Sequence, residues 1–183
     1  MKAVVQRVVD ASVAVSGLVK GAVKRGLLVY LGVAVDDTIG DADWLAEKIP
    51  NLRIFEDQDE KMNLSLIDVV NQSADAVNKG DLEPFRRDNG DVNRCFDKVN
   101  EVPLGVLAIS QFTLLGDARK GRRPSWAGAA PPEKARELYL YFMEKIREHG
   151  LECESGEFQA HMTVTYTNDG PVTIILDSKA GVL

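Results

Sequence analysis

The chain is poor in the residues that most often advertise chemistry: its 183 residues include only two cysteines and two histidines. Cys95 and Cys153 lie far apart and lack the spacing of a metal or redox pair. The simplest expectation is a reduced intracellular protein, although a disulfide between them stays open. There is no Gly-x-Ser-x-Gly elbow, no Gly-rich phosphate loop and no His-Glu-x-x-His helix, which removes the usual serine hydrolases, nucleotide-loop enzymes and zinc peptidases. The acidic turn Glu56–Glu60 lacks the glycine and the spaced ligands of a calcium loop. No metal and no cofactor is therefore expected. Positive charge is also scarce. Lys and Arg number 22 against 28 Asp and Glu, a net charge of −6, which excludes a protein that coats nucleic acid by bulk charge and leaves room only for a local contact. No apolar run approaches the ~18 residues of a membrane helix, so the expectation is an untargeted, cytoplasmic protein with no membrane partner.

What is present is a good supply of core residues, 45% hydrophobic, enough for one domain over residues 1–183. Ala3–Val9 and Ser12–Ser16 are β-branched and partly alternating, and read as two strands of an antiparallel meander. Arg7 interrupts the first, where a lone arginine usually snorkels to the solvent face. Leu27–Val35 is a long apolar strand covered on both sides. Thr38 and Asp41 open a helix whose Ile39, Ala42, Leu45, Ala46 and Ile49 recur at helical spacing until Pro50. Leu52–Phe55 reads as a strand. From about Asn71 to Pro103 the sequence is polar and turn-rich, with no period of its own, and reads as an insertion. Pro131–Gly150 carries the clearest helix, with Ala135, Leu138, Tyr139, Phe142 and Ile146 as its buried stripe. Leu151–Glu154, Phe158–Thr167 and Val172–Leu176 close the chain as strands. Alternation places Met162, Val164 and Tyr166 on one face and His161 on the other, less buried one.

The chemistry gathers around Gly105–Gly116. This stretch begins as an unbroken apolar run, the pattern of a central strand, and then presents Ser110, Gln111 and Thr113. Directly after it come Arg119, Lys120, Arg122 and Arg123, a local cluster of positive charge on an acidic chain and a candidate phosphate contact. Near the C-terminus stands Asn168-Asp-Gly-Pro-Val-Thr173.

Ser110-Gln-Phe-Thr-Leu114, Arg123-Pro-Ser125 followed by an aromatic, and Asn168-Asp-Gly-Pro-Val-Thr173 together resemble the D-aminoacyl-tRNA deacylase family. Gln6-Arg7-Val8, Asn51-Leu-Arg-Ile-Phe55 and Lys61-Met-Asn63 match further signatures of it, and Phe158, Ala160 and Met162 fit the segment that lines its pocket. Three features depart from the family pattern: Gln159 where a small residue is usual, Glu60 in place of a turn glycine, and the insertion at about 71–103.

The resemblance implies an α/β (α+β) fold of mainly antiparallel sheet curled into a barrel-like core, with two main helices packed on it. It implies a homodimer that hydrolyses the ester between a D-amino acid, or glycine, and the terminal adenosine of tRNA. Ser110, Gln111, Phe112 and Thr113 would form the catalytic motif. Arg7, Phe158, Ala160, Met162, Gly170 and Pro171 would meet the substrate, and Arg119, Lys120, Arg122 and Arg123 the tRNA. An ester already has a good leaving group, so placement and an oxyanion hole can carry most of the catalysis. Backbone N–H groups at Phe112 and Thr113 suit the oxyanion. Nothing beside Thr113 would activate its hydroxyl, so it is expected to position while water attacks. A cis Gly170–Pro171 corner from the partner subunit would exclude L side chains. The alternative reading is a non-catalytic, translation-associated RNA-binding module using the same basic loop.

Overall fold

The computed structural model describes residues 1–78 and 104–182. Nine strands and three α-helices occupy them: β1 (Lys2–Val15), β2 (Leu18–Val23), β3 (Gly26–Gly32), α1 (Ile39–Lys48), β4 (Phe55–Glu56), β5 (Met62–Leu64), α2 (Leu66–Asn78), β6 (Gly105–Ser110), α3 (Pro132–Glu148), β7 (Glu152–Ser155), β8 (Met162–Asp177) and β9 (Gly181–Val182). Seven strands form one sheet in the order β7-β6-β3-β1-β8-β9, with β2 also on β1.

The long strand β1 shapes this sheet. One of its edges carries β3 along residues 2–8 and then β2 along residues 11–15, while β8 runs antiparallel along the other edge. Because β2 swings back against β6 and β7, the sheet nearly closes on itself. The two separate strands expected at 3–9 and 12–16 are thus one, and so are those expected on either side of Gly170–Pro171. A long curled sheet lets a strand pass from one neighbour to the next without a turn. The sheet is also more mixed than expected, since β3 pairs with β6, and β6 with β7, in parallel.

Side-chain alternation sorts two cores. Leu27, Val29 and Leu31 of β3 point with Val106 and Ala108 of β6 towards α1 and α3, where Leu45, Ile49, Leu138, Tyr139, Phe142 and Ile146 meet them. On the opposite face Leu28, Leu107 and Ile109 pack inside the curl with Val8, Val13 and Val23. That double coverage is why β3 and β6 read as unbroken apolar runs. Cys153 joins the first core as a free thiol, and burial pushes its pKa up to about 12.

Three sequence expectations need correction here. Leu52–Phe55 yields strand pairing only from Phe55, which joins Leu64 in a two-stranded sheet. The polar stretch expected from Asn71 begins inside α2, which runs on to Asn78; residues 79–103 lie outside the described part, Cys95 among them. The signal for α2 was present: Ser65 and Asp68 form a capping box, with the Asp68 carboxylate accepting from the Ser65 N–H at 2.8 Å and the Asp68 N–H donating to the Ser65 hydroxyl at 3.1 Å. Third, the strand expected over Leu27–Val35 ends at Gly32; the two main helices expected on the sheet are α1 and α3, with α2 a third beside them.

The chain's start is tied into the core. The Met1 ammonium meets the Asp37 carboxylate at 2.6 Å, both fully buried, and also donates to Ser178. Ser178 and Lys179 in turn donate to Asp41 in the first turn of α1. Among the described residues no helix is long and apolar enough to cross a membrane.

Candidate active site

β6 is buried through Ile109 and surfaces at Ser110. The Gln111 N–H still bonds to the Leu31 carbonyl at 2.8 Å, after which Phe112–Leu115 wind into a single 3-10 turn. The N–H groups of Phe112 and Thr113 open this turn and have no partner within it. A cavity of about 730 Å³ lies here, within the range that takes a small molecule. Tyr30, Leu31 and Val33 border it from the end of β3, and Ile109–Phe112 from the end of β6. Pro132, Ala135 and Tyr139 enclose it from the start of α3, and Phe158–Met162 from the approach to β8. The parallel pair β3 and β6 thus opens onto a crevice at its carboxyl ends, the usual ligand position beside parallel strands. The wall is mainly apolar, with Ser110, Gln111, Gln159, His161 and the Tyr30 phenol as polar groups. Tyr30 has its pKa raised by burial and then by Tyr166. That of Tyr139 is also raised, chiefly by burial, and its hydroxyl is spent on the Ala108 carbonyl at 2.9 Å.

The structure brings together Ser110, Gln111, Phe112, Phe158, Ala160 and Met162 in this wall. Thr113, the second residue of the 3-10 turn, is exposed and does not border the cavity. His161 is exposed, as its alternation indicated, and yet reaches the cavity wall. Tyr30, Pro132, Ala135 and Tyr139 were read as core or helix start, since nothing local marks a core residue as the rim of a hole. Gln159 and Glu60, the two residues that depart from the family pattern, both have left-handed backbone, at φ of 66° and 61°. This is the region where a glycine would be unstrained.

A second cluster forms elsewhere. Between the pairs Gln6–Thr173 and Val8–Asn168 the β1–β8 ladder holds one residue on β1, Arg7, and four on β8, Asp169–Val172. The four bulge outward, so Gly170 and Pro171 are exposed on a convex corner, with a cis peptide bond between them. Arg7 lies beneath it. It is only 3% exposed, which corrects the solvent-facing expectation. Its Nη1 donates to the Ile54 carbonyl at 2.6 Å and its Nε to the Asp169 carbonyl at 3.3 Å. The Asp169 carboxylate is 3.0 Å from Nε, and Glu56 lies 3.6 Å from Nη2. The guanidinium is affordable inside because these oxygens satisfy it. A side chain at Gly170 would press on Arg7 and Val172, and its φ of 118° is itself glycine territory. None of Arg7, Gly170 and Pro171 borders the cavity. From Val164, which also lines the cavity, to Gly170 is six residues of strand, roughly 20 Å.

The basic segment is a third place. Asp117 and Ser125 exchange two backbone hydrogen bonds of 2.9 Å, and the exposed loop between them carries the charges. Arg119 is turned back on Asp117, with bonds of 2.9 and 2.6 Å, and holds that carboxyl down at about 2. Lys120, Arg122 and Arg123 face solvent.

A sheet curled around apolar strands, with a crevice of small-molecule size at the ends of a parallel pair, defines a mixed α/β fold, and solved structures share it. One described as a c-Myc DNA Unwinding Element Binding Protein superposes with a TM-score of 0.73 at 35% identity, over 97% of this chain and 98% of its own. Another, described as a probable eukaryotic D-amino acid tRNA deacylase, shares the fold at TM-score 0.63 and 15% identity, over 96% and 98%. The family described as D-Tyr-tRNA(Tyr) deacylase matches residues 4–77 and 72–177, and the chain belongs to it. Similar relatives are the D-aminoacyl-tRNA deacylases of Koribacter versatilis, 51% identical, and Thermotoga petrophila, 49% identical, each over 98% of both chains. Because these alignments span nearly the whole of both chains, the stretch at 71–103 has counterparts in such relatives. The second segment of the family match, 72–177, runs through it as well.

Proposed function

We propose that the protein hydrolyses the ester of D-aminoacyl-tRNA, and of glycyl-tRNA, releasing free tRNA and the amino acid. What carries this reading is the position of the Ser110–Phe112 motif, in a chain of this family, at the wall of a cavity where the Phe112 and Thr113 N–H groups are unspent within their turn. The terminal adenosine and the aminoacyl group occupy the crevice. The two N–H groups receive charge as the carbonyl oxygen becomes an oxyanion. Gln111 orients the substrate by hydrogen bonding, and water attacks, assisted by the ribose 2′-hydroxyl. Thr113 acts through the backbone turn that it helps to hold.

The enzyme works as a homodimer in the cytoplasm, where its substrate is made. The Gly170–Pro171 corner is too far from its own cavity to serve it, and is convex and exposed, so it acts in the crevice of a second copy. There its backbone carbonyls receive the substrate's α-amino group and stand where an L side chain would go, while a D side chain points outward and glycine passes. Exclusion of this kind needs little contact with the side chain and admits many D-amino acids. Lys120, Arg122 and Arg123 supply the local phosphate contacts, with Arg119 bracing their loop.

The test is to incubate the purified protein with matched D-tyrosyl- and L-tyrosyl-tRNA and follow ester loss. The D-ester should disappear and the L-ester persist. Salt-dependent tRNA binding with no turnover of either would favour the binding-module reading instead.

A further inference from the structure

Beside the cavity mouth two large aromatic side chains stand in solvent. Phe112 is 57% exposed and Trp126 41%, and their rings meet edge to face with centroids 5.4 Å apart. Exposed aromatics in contact at a crevice rim are uncommon away from binding surfaces. Both are held in place. Phe112 is fixed by the 3-10 turn that follows Gln111. The benzo ring of Trp126 lies against Gly116, where any side chain would collide with it, and the Asp117–Ser125 bonds pin the chain immediately before it. The Trp126 carbonyl accepts from the Ala129 N–H at 2.9 Å. A continuous path therefore runs from the crevice, which Phe112 borders, across Trp126 to the loop bearing Lys120, Arg122 and Arg123.

We propose that Phe112 and Trp126 form a stacking platform for the unpaired nucleotides that precede the terminal adenosine of tRNA, with Lys120, Arg122 and Arg123 receiving their phosphates. The proposal rests on the assignment of the crevice to that adenosine, because a strand leaving the crevice towards the basic loop has to cross these two rings. Its chemistry suits an unpaired strand. Bases stack on aromatic faces with little regard to sequence, and cations flanking the rings track the backbone. On a chain of net charge −6, this is a local route that bulk attraction cannot provide.

The direct test is fluorescence. Trp44 and Trp126 are the two tryptophans, so a Trp44→Phe protein reports on Trp126 alone. Titration with a single-stranded oligonucleotide ending in CCA should quench its emission. The log–log salt slope should be about −2 for three neutralised phosphates, and should flatten in a Lys120→Ala, Arg122→Ala, Arg123→Ala protein. The kinetic test compares D-tyrosyl-tRNA with D-tyrosyl-adenosine, which has no strand to stack. Trp126→Ala should raise KM for the tRNA by about tenfold or more, with a loss on D-tyrosyl-adenosine at least tenfold smaller, and Trp126→Phe should restore most of the tRNA activity. Absence of quenching, or equal losses on both substrates, would overturn the platform. So would a fall to monomer mass in Trp126→Ala, which assigns the surface to a second copy of the chain. Quenching by the oligonucleotide in a protein that hydrolyses neither ester would support the platform while removing the deacylase reading.

Discussion

The crevice at the end of β6 and the corner at Gly170–Pro171 are opposites in physical character. The first is concave, mainly apolar and walled by four separate segments. The second is convex, built from one bulge in one ladder, and supported from below by a buried charge. For the proposed reaction neither suffices alone. The crevice has N–H groups and volume but no rigid element that reads handedness, and the corner has rigidity but nothing to enclose a substrate. Roughly 20 Å of strand separates them within a chain, and in the proposed dimer it is a second copy that brings corner and crevice together.

The largest effect expected from this division is complementation. A Gln111→Ala chain spoils the crevice and a Gly170→Ala chain spoils the corner, and each alone should fall to background hydrolysis. Mixed and refolded together, half the dimers are hybrid, and each hybrid holds one intact crevice facing one intact corner. About a quarter of wild-type activity should return. Continued background activity in a verified hybrid would show that each chain builds its site alone.

Arg7→Ala sharpens the comparison from the stability side. It strips the partner from the buried Ile54 carbonyl and leaves Asp169 unpaired under the corner. The expected cost is about 3 kcal/mol in urea unfolding, the range for breaking a buried charged pair. Arg7→Lys should recover only part, since an ammonium cannot reproduce the fork. No surface substitution in the basic loop should approach this value.

Thr113→Ala asks whether the crevice depends on a side chain outside its wall. Because Thr113 is exposed and does not border the cavity, the rate should fall by about tenfold or less, some 1.4 kcal/mol. A folded, substrate-binding variant without turnover would return the hydroxyl to the role of nucleophile.

The smallest effect lies away from both regions. Burial of Asp41 works against its charge, but hydrogen bonds from Ser178, the Thr38 N–H and Lys179 outweigh it and hold the carboxyl well below its usual range. A depressed carboxyl stabilises the fold above its unfolded value of about 3.9, and that contribution is lost as pH falls through the lower, folded value. Asp41→Asn should therefore be less stable than wild type at neutral pH, with the gap narrowing as the pH is lowered below about 4. A gap independent of pH would mean that geometry, and not charge, is what Asp41 supplies.

How much of this was legible before the structure depends on the range of the cause. The double-sided apolar pattern of Leu27–Leu31 and Val106–Ile109, the capping of α1 and the stripe of α3 are local, and they were read correctly. So was the placement of Ser110 where a buried strand surfaces. Arg7 was misread because one position in a strand does not reveal that Ile54 and Asp169, far away in sequence, converge on it. The bulge at Asp169–Val172 is likewise a property of the ladder with β1, and within β8 alone it looks like a turn between two strands.

The sequence by itself determined the family, through short motifs whose backbone demands are local, and it determined which segments could be buried, through their periodicity. Tertiary structure alone decided that Thr113 lies off the cavity wall while Tyr30 and His161 reach it, and that Trp126 settles on Gly116 beside Phe112. It also decided that the crevice and the Gly170–Pro171 corner stand apart. Those outcomes depend on where a curled sheet brings distant residues together, and no local pattern encodes that convergence.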